Sequence, residues 1–161
     1  MRFTVSAGLI AAIALLQGCS KPPADDNAAL DAVPVSQSAD AKAPPADNVD
    51  TLDGSKFASF KTDVAAGEKV FMACRTCHST KPGINMTGPS LHGLQGHHSG
   101  QIPGYKYSEA NKASGITWTN EKLFQYLENP QRVVPGTKMS YVGVKDPQQR
   151  ADLVAYLDTL K

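Results

Sequence analysis

The sequence predicts an all-α domain with long, irregular loops behind a non-globular N-terminal part. Three observations carry that expectation. The C-terminal segment reads as a capped helix with one apolar face. Asp146 stands at the N-cap, Pro147 at the first helical position and Gln149 at the third, and Leu153, Tyr156, Leu157 and Leu160 follow at i, i+3, i+4 and i+7. No stretch alternates apolar and polar residues as a half-buried strand does. Residues 79–106 are crowded with Gly and Pro and read as loops, and long loops in a small domain usually carry function.

Composition narrows the function classes. The 161 residues carry 16 Lys+Arg against 15 Asp+Glu, so there is no basic excess to grip nucleic acid. Three Cys are too few for a disulfide scaffold, a four-cysteine zinc site or a four-thiolate iron–sulfur cluster. No apolar run reaches the ~18–20 residues of a membrane-spanning helix.

Residues 1–18 have the form of a secretory signal: a basic start, an apolar stretch from Phe3 to Leu16, then Gln17-Gly18. Cys19 closes that stretch, and Leu16-Gln17-Gly18-Cys19 resembles the lipobox of bacterial lipoproteins, in which the Cys is acylated after cleavage. Together, 19–56 read as a lipid-anchored, Ala/Pro/Asp-rich linker. Within it, 20–56 hold seven Asp against three Lys, a net charge of −4, and no aromatic residue. So little apolar surface cannot offset the entropy of ordering. These 37 residues would reach ~130 Å if fully extended. Residues 57–161 hold nearly all the aromatics and a net charge of +4, and form the predicted domain.

Within that domain, Asp63 caps a first helix over roughly 64–74. Ser108 caps a short helix from Glu109 to Lys112, ended near Gly115. Thr119 caps another over 120–128, which Pro130 stops by Asn129.

Cys74-Arg75-Thr76-Cys77-His78 carries the chemistry. Two Cys at i and i+3 lie on one side of a helical turn, where their sulfurs can add to the two vinyl groups of a haem. The following His is then placed to give its imidazole to the iron. C-x-x-C-H is the attachment signature of a c-type haem. A thioredoxin-type redox C-x-x-C would need a βαβ pattern, which is absent, and a zinc site from Cys74, Cys77 and two His is the weaker alternative. The opposite axial ligand has six candidates: Met72, Met86, Met139, His92, His97 and His98. Met72 lies on the attachment helix and Met86 only eight residues past His78, so neither is placed to reach the other haem face. Met139 lies 61 residues beyond His78, after the loop Pro135-Gly136-Thr137-Lys138, and its thioether is a soft ligand suited to haem iron.

Further segments extend the pattern: Gly67 to Phe71, Thr87-Gly88-Pro89-Ser90-Leu91-His92-Gly93, Tyr107 to Trp118, Tyr126 to Pro130, Pro135 to Met139 and Asp152 to Leu157. With Cys74 to His78 they resemble, in order and over nearly all of 63–160, the class I cytochromes c, and closely the mitochondrial-type and bacterial c2-like branch. The resemblance implies a small fold of helices wrapped around one haem c, attached through Cys74 and Cys77 and ligated by His78 and Met139. It implies that the Pro89 carbonyl accepts the His78 ring N–H. Tyr107 and Trp118 would bond a buried haem propionate, with Thr137 nearby, and Asn111, Tyr126 and Thr137 would form a polar network at the Met139 sulfur. Gly67 and Phe71 would pack on Leu153 and Tyr156, and Tyr141 would lie by the haem edge. His97 stands where the family often has an Arg balancing a propionate. The basic ring is thin: Lys138, Lys145 and Arg132 are present, while Ala73, Gln131 and Asp146 break it.

The reading is therefore a monohaem single-electron carrier, not an enzyme, and a monomer. Its implied donor is a quinol–cytochrome c reductase and its implied acceptor a terminal cytochrome c oxidase. The signal and Cys19 place it on the periplasmic side of a bacterial membrane, held by lipid. Two rivals differ in class: a haem peroxidase or gas sensor with a labile Met139, and a fixed electron-transfer subunit of one complex.

Overall fold

The computed structural model describes residues 42–161. The expected signal at 1–18, Cys19 and residues 20–41 of the expected linker lie outside the described residues. Five helices follow in chain order: α1 (Val64–Phe71), α2 (Glu109–Ala113), α3 (Asn120–Glu128), α4 (Pro130–Val133) and α5 (Pro147–Asp158). Single 3₁₀ turns occupy Phe57–Ser59 and Cys74–Thr76. Among the described residues the one β feature is an isolated bridge between His98 and Thr117.

Each predicted cap is in place. The Asp63 side chain accepts from the N–H groups of Ala65 and Ala66, Ser108 from Asn111, Thr119 from Lys122, and Asp146 from Gln149. The first helix is shorter than expected, ending at Phe71 instead of running to 74. The chain tightens there because the N–H groups of Cys77 and His78 both donate to Cys74 O, at 3.0 Å each. Pro130 stops α3 as expected and also opens α4 as its first residue, with the Asn129 side chain accepting from Arg132 N–H.

α1 packs across α5. Gly67 permits this, because a Cβ there would run into the Asp152 carbonyl and Tyr156 Cβ. Beside it the Phe71 and Tyr156 rings lie 5.0 Å apart. Leu153, Val154 and Leu157 of α5 and Leu123, Phe124 and Leu127 of α3 are buried between these layers.

The linker expectation requires a correction at its C-terminal end. Residues 45–55 are docked on α3, α4 and α5 as a strap. Lys122 Nζ donates to Pro45 O at 3.3 Å and Asn48 O at 2.8 Å, and Gln125 Nε2 to Asn48 Oδ1 at 2.7 Å and Asp50 O at 2.9 Å. Glu128 accepts from the N–H groups of Leu52 at 2.7 Å and Asp53 at 3.1 Å. Arg150, fully buried, pairs with Asp53 at 2.7 Å and lies over the Phe124 ring, 4.3 Å from its centre. Strap order comes from buried polar partners on the domain, which the strap's own composition does not reveal. Burial and the nearby Arg132 cation pull the Lys122 ammonium down to about 8.

Candidate functional site

Behind α3 the fold leaves a largely apolar cavity of about 380 Å³, within the usual range for ligand sites. Leu123, Tyr126 and Leu127 line it from α3, while Lys122, Gln125 and Glu128 on the opposite side of that helix hold the strap. Cys74, Cys77, His78, Pro89, Tyr107, Asn111, Trp118, Tyr126, Thr137 and Met139 all line this one cavity, so the structure brings together every domain residue the sequence singled out for the site. Tyr141 lines it too. Met72, Met86 and His97 are all exposed and outside it.

The attachment turn sits on the cavity wall. Both thiols are free, Cys74 half-buried and Cys77 exposed. Burial, together with the neighbouring Cys77, pushes the Cys74 thiol up to about 11. His78 Nδ1 lies 2.8 Å from Pro89 O. A carbonyl can only accept, so Nδ1 carries the hydrogen and the lone pair sits on Nε2. Burial lowers the His78 pKa despite that bond, which favours the neutral ring, the form that ligates metal. Gly88 packs flat on this ring, and a Cβ there would strike it.

On the loop 135–139, Tyr126 Oη donates to Met139 Sδ at 3.5 Å and lies 3.3 Å from Thr137 Oγ1. Met139 N–H donates to Thr137 Oγ1 at 3.3 Å. Asn111 departs from the expected network. Its amide donates to Ser99 Oγ at 3.3 Å and accepts from Ser108 Oγ at 2.9 Å, so it braces the cavity wall without touching the Met139 sulfur. Trp118 is buried 4.9 Å from the Tyr126 ring, and burial pushes the Tyr107 phenol up to about 12.

Sequence reasoning missed Gln131. Its side chain holds the ligand loop, Nε2 donating to Thr137 O at 3.1 Å and Met139 O at 3.4 Å. Two thiols three residues apart, a neutral imidazole with its lone pair on Nε2 and a thioether on the same cavity form the donor set of a covalently attached haem. Among the described residues no cluster of three His, Cys, Asp or Glu is arranged to hold a metal ion.

Comparison with known proteins agrees with this chemistry. The family described as cytochrome c matches residues 64–161. A cytochrome c2 of Rhodopila globiformis is 56% identical over 100 residues, which cover 62% of this chain and 94% of that protein. A cytochrome c of Euglena viridis is 48% identical over 100 residues, covering 62% and 98%. The solved structure of cytochrome cH from Methylobacterium extorquens superposes with a TM-score of 0.57 at 45% identity, over 60% of this chain and 98% of that one.

Proposed function

The chain belongs to the cytochrome c family, and we propose that this monohaem electron carrier is tethered to a membrane by lipid on Cys19 and shuttles electrons from a quinol–cytochrome c reductase to a terminal oxidase on the periplasmic side. The haem c that the family binds through its Cys residues supplies a one-electron iron couple. This chain's residues do the rest. Cys74 and Cys77 would hold the group by thioether bonds, and His78 Nε2 and Met139 Sδ would be its ligands to the iron. The Pro89 carbonyl orients the imidazole and raises its basicity. Tyr126 Oη steadies the thioether sulfur, and the apolar wall from Leu123 and Leu127 keeps water from the centre.

The single observation that carries the carrier reading is that His78 and Met139 face one cavity, each held by its own hydrogen-bond partner. With both given to the iron, no coordination position is left for a substrate. The tether reading rests on Cys19 at the end of the apolar stretch from Phe3 to Leu16, and on the thin basic ring, which weakens long-range steering of a free shuttle. With 45–55 docked, the proposed linker shortens to 20–44, 25 residues that would reach ~88 Å if fully extended. As a flexible coil it spans ~25–30 Å on average, enough for a small domain to move above its anchor.

Mass spectrometry of the mature N-terminus tests the anchor. A diacylated or triacylated Cys19 is expected, and an unmodified N-terminus downstream of it overturns the tether. Oxidase-linked turnover in membranes tests the partners, and a Cys19→Ser chain of equal haem content should deliver electrons more slowly there with an unchanged spectrum.

A further inference from the structure

α4 is a single helical turn whose two central residues grip opposite parts of the molecule. Gln131 grips the loop that carries Met139. Its Nε2 donates to Thr137 O at 3.1 Å and Met139 O at 3.4 Å, and its Oε1 accepts from Gly136 N–H at 3.4 Å. Its neighbour Arg132 grips the strap, Nη2 donating to Asp50 O at 2.8 Å. Arg132 also lies 3.6 Å from Glu128, the carboxylate that receives the Leu52 and Asp53 N–H groups. The turn is closed at both ends. Asn129 caps it, Val134 N–H closes it on Pro130 O at 2.9 Å, and Val133 and Val134 are buried.

The strap precedes residue 64, where the family match begins. It lies outside the stretch that the family model matches. A one-turn helix has little rigidity of its own, so its position is set by what holds it from outside.

We propose that α4 couples the strap to the ligand loop: docking of residues 45–55 through Arg132 and Glu128 holds α4 in the position from which Gln131 clamps the backbone of Thr137 and Met139, so release of the strap loosens Met139. Gln131 is thus a positioning residue for the axial ligand, and the strap acts on that ligand at a distance. The coupling rests on the reading of Met139 as ligand. By linkage it runs both ways, so loss of the thioether bond loosens the strap by the same factor. Pulling on the N-terminal segment would then bear on the haem ligand as well as on the anchor.

Cyanide binding to the ferric holoprotein, full chain, reads the coupling directly, because cyanide enters only when Met139 leaves. Four variants are compared with the wild type: 45–55 scrambled at fixed composition, Gln131→Leu, the two combined, and Met139→Ala. Amide exchange at positions 52 and 53 reports strap docking in each. The scrambled strap and Gln131→Leu should each raise the apparent cyanide affinity about two- to thirtyfold. Combined, they should raise it by less than the product of the single effects, because both act through α4. Gln131→Leu should speed exchange at Leu52 and Asp53 by no more than the factor by which it raises cyanide affinity, which separates loss of the clamp from general unfolding. Met139→Ala should bind cyanide fastest of all and speed exchange at Leu52 and Asp53. A scrambled strap that speeds amide exchange at positions 52 and 53 yet leaves cyanide affinity at the wild-type value overturns the coupling. Equal cyanide binding by Met139→Ala and the wild type overturns the ligand reading instead.

Discussion

Arg150 Nη2 lies 2.7 Å from Asp53 Oδ2, an ion pair across 97 positions of chain whose guanidinium is fully buried. Arg150 also donates to Val144 O at 2.9 Å and Ser55 Oγ at 3.0 Å, and Glu128 lies 3.8 Å away. Breaking such a pair leaves a buried cation short of a partner.

Asp53→Ala should therefore destabilise the holoprotein by about 1–3 kcal/mol, read as a lower urea midpoint at unchanged slope. The effect should depend on pH in a defined direction. Burial alone would raise the Asp53 pKa, but bonds from Ser55 and Arg150 outweigh it and hold the carboxyl well below the usual carboxylate range. A depressed folded pKa gives stability that is complete above the unfolded value of ~3.9 and is lost as pH falls below it. The gap between wild type and Asp53→Asn should be flat from pH 7 to about 5 and close below about 4. A gap that widens on acidification contradicts the assignment.

Gly67→Ala should fail in a different way. The added methyl meets the Asp152 carbonyl, and neither α1 nor α5 can yield without parting Phe71 from Tyr156. We expect a loss of at least ~1–3 kcal/mol, with the attachment turn Cys74–His78 intact in sequence but haem retention at elevated temperature reduced. Wild-type thermal stability in this variant would show that the helix crossing is looser than described.

Much of this arrangement was legible in the sequence, for physical reasons. Asp63, Ser108, Thr119 and Asp146 cap helices because a short polar side chain satisfies free N–H groups, a rule local enough to read directly. Cys74, Cys77 and His78 are adjacent in the chain, so spacing alone carried their chemistry. The strap was hidden because its partners meet it largely through backbone atoms: Pro45 O, Asn48 O, Asp50 O, Leu52 N–H and Asp53 N–H. No side-chain pattern within 45–55 announces such bonds. On the other side, Lys122, Gln125 and Glu128 are polar by residue type, yet all three are buried. Pro130 was legible as a stop but not as a start, since the same ring serves both.

The docked strap confines the proposed linker to 20–44, which gives a third prediction. Scrambling 20–44 at fixed composition should leave oxidase-linked turnover in membranes at the wild-type level, because only length and solubility matter there. Cutting that stretch to about ten residues, a reach of ~35 Å, should slow delivery while spectrum and potential stay the same. Full activity of the shortened chain contradicts a reach device, and failure of the scrambled one points to a specific binding motif within 20–44.

The central claim is that His78 and Met139 hold the haem iron between them, and the red absorption of the ferric protein measures it most directly. Met139 lines the cavity with Tyr126 Oη 3.5 Å from its sulfur, whereas Met86 is exposed and outside. Met139→Ala should abolish the weak red band of thioether-bound ferric iron, lower the potential and admit peroxide chemistry, while Met86→Ala changes none of these. A band that survives in Met139→Ala and disappears in Met86→Ala would contradict the account.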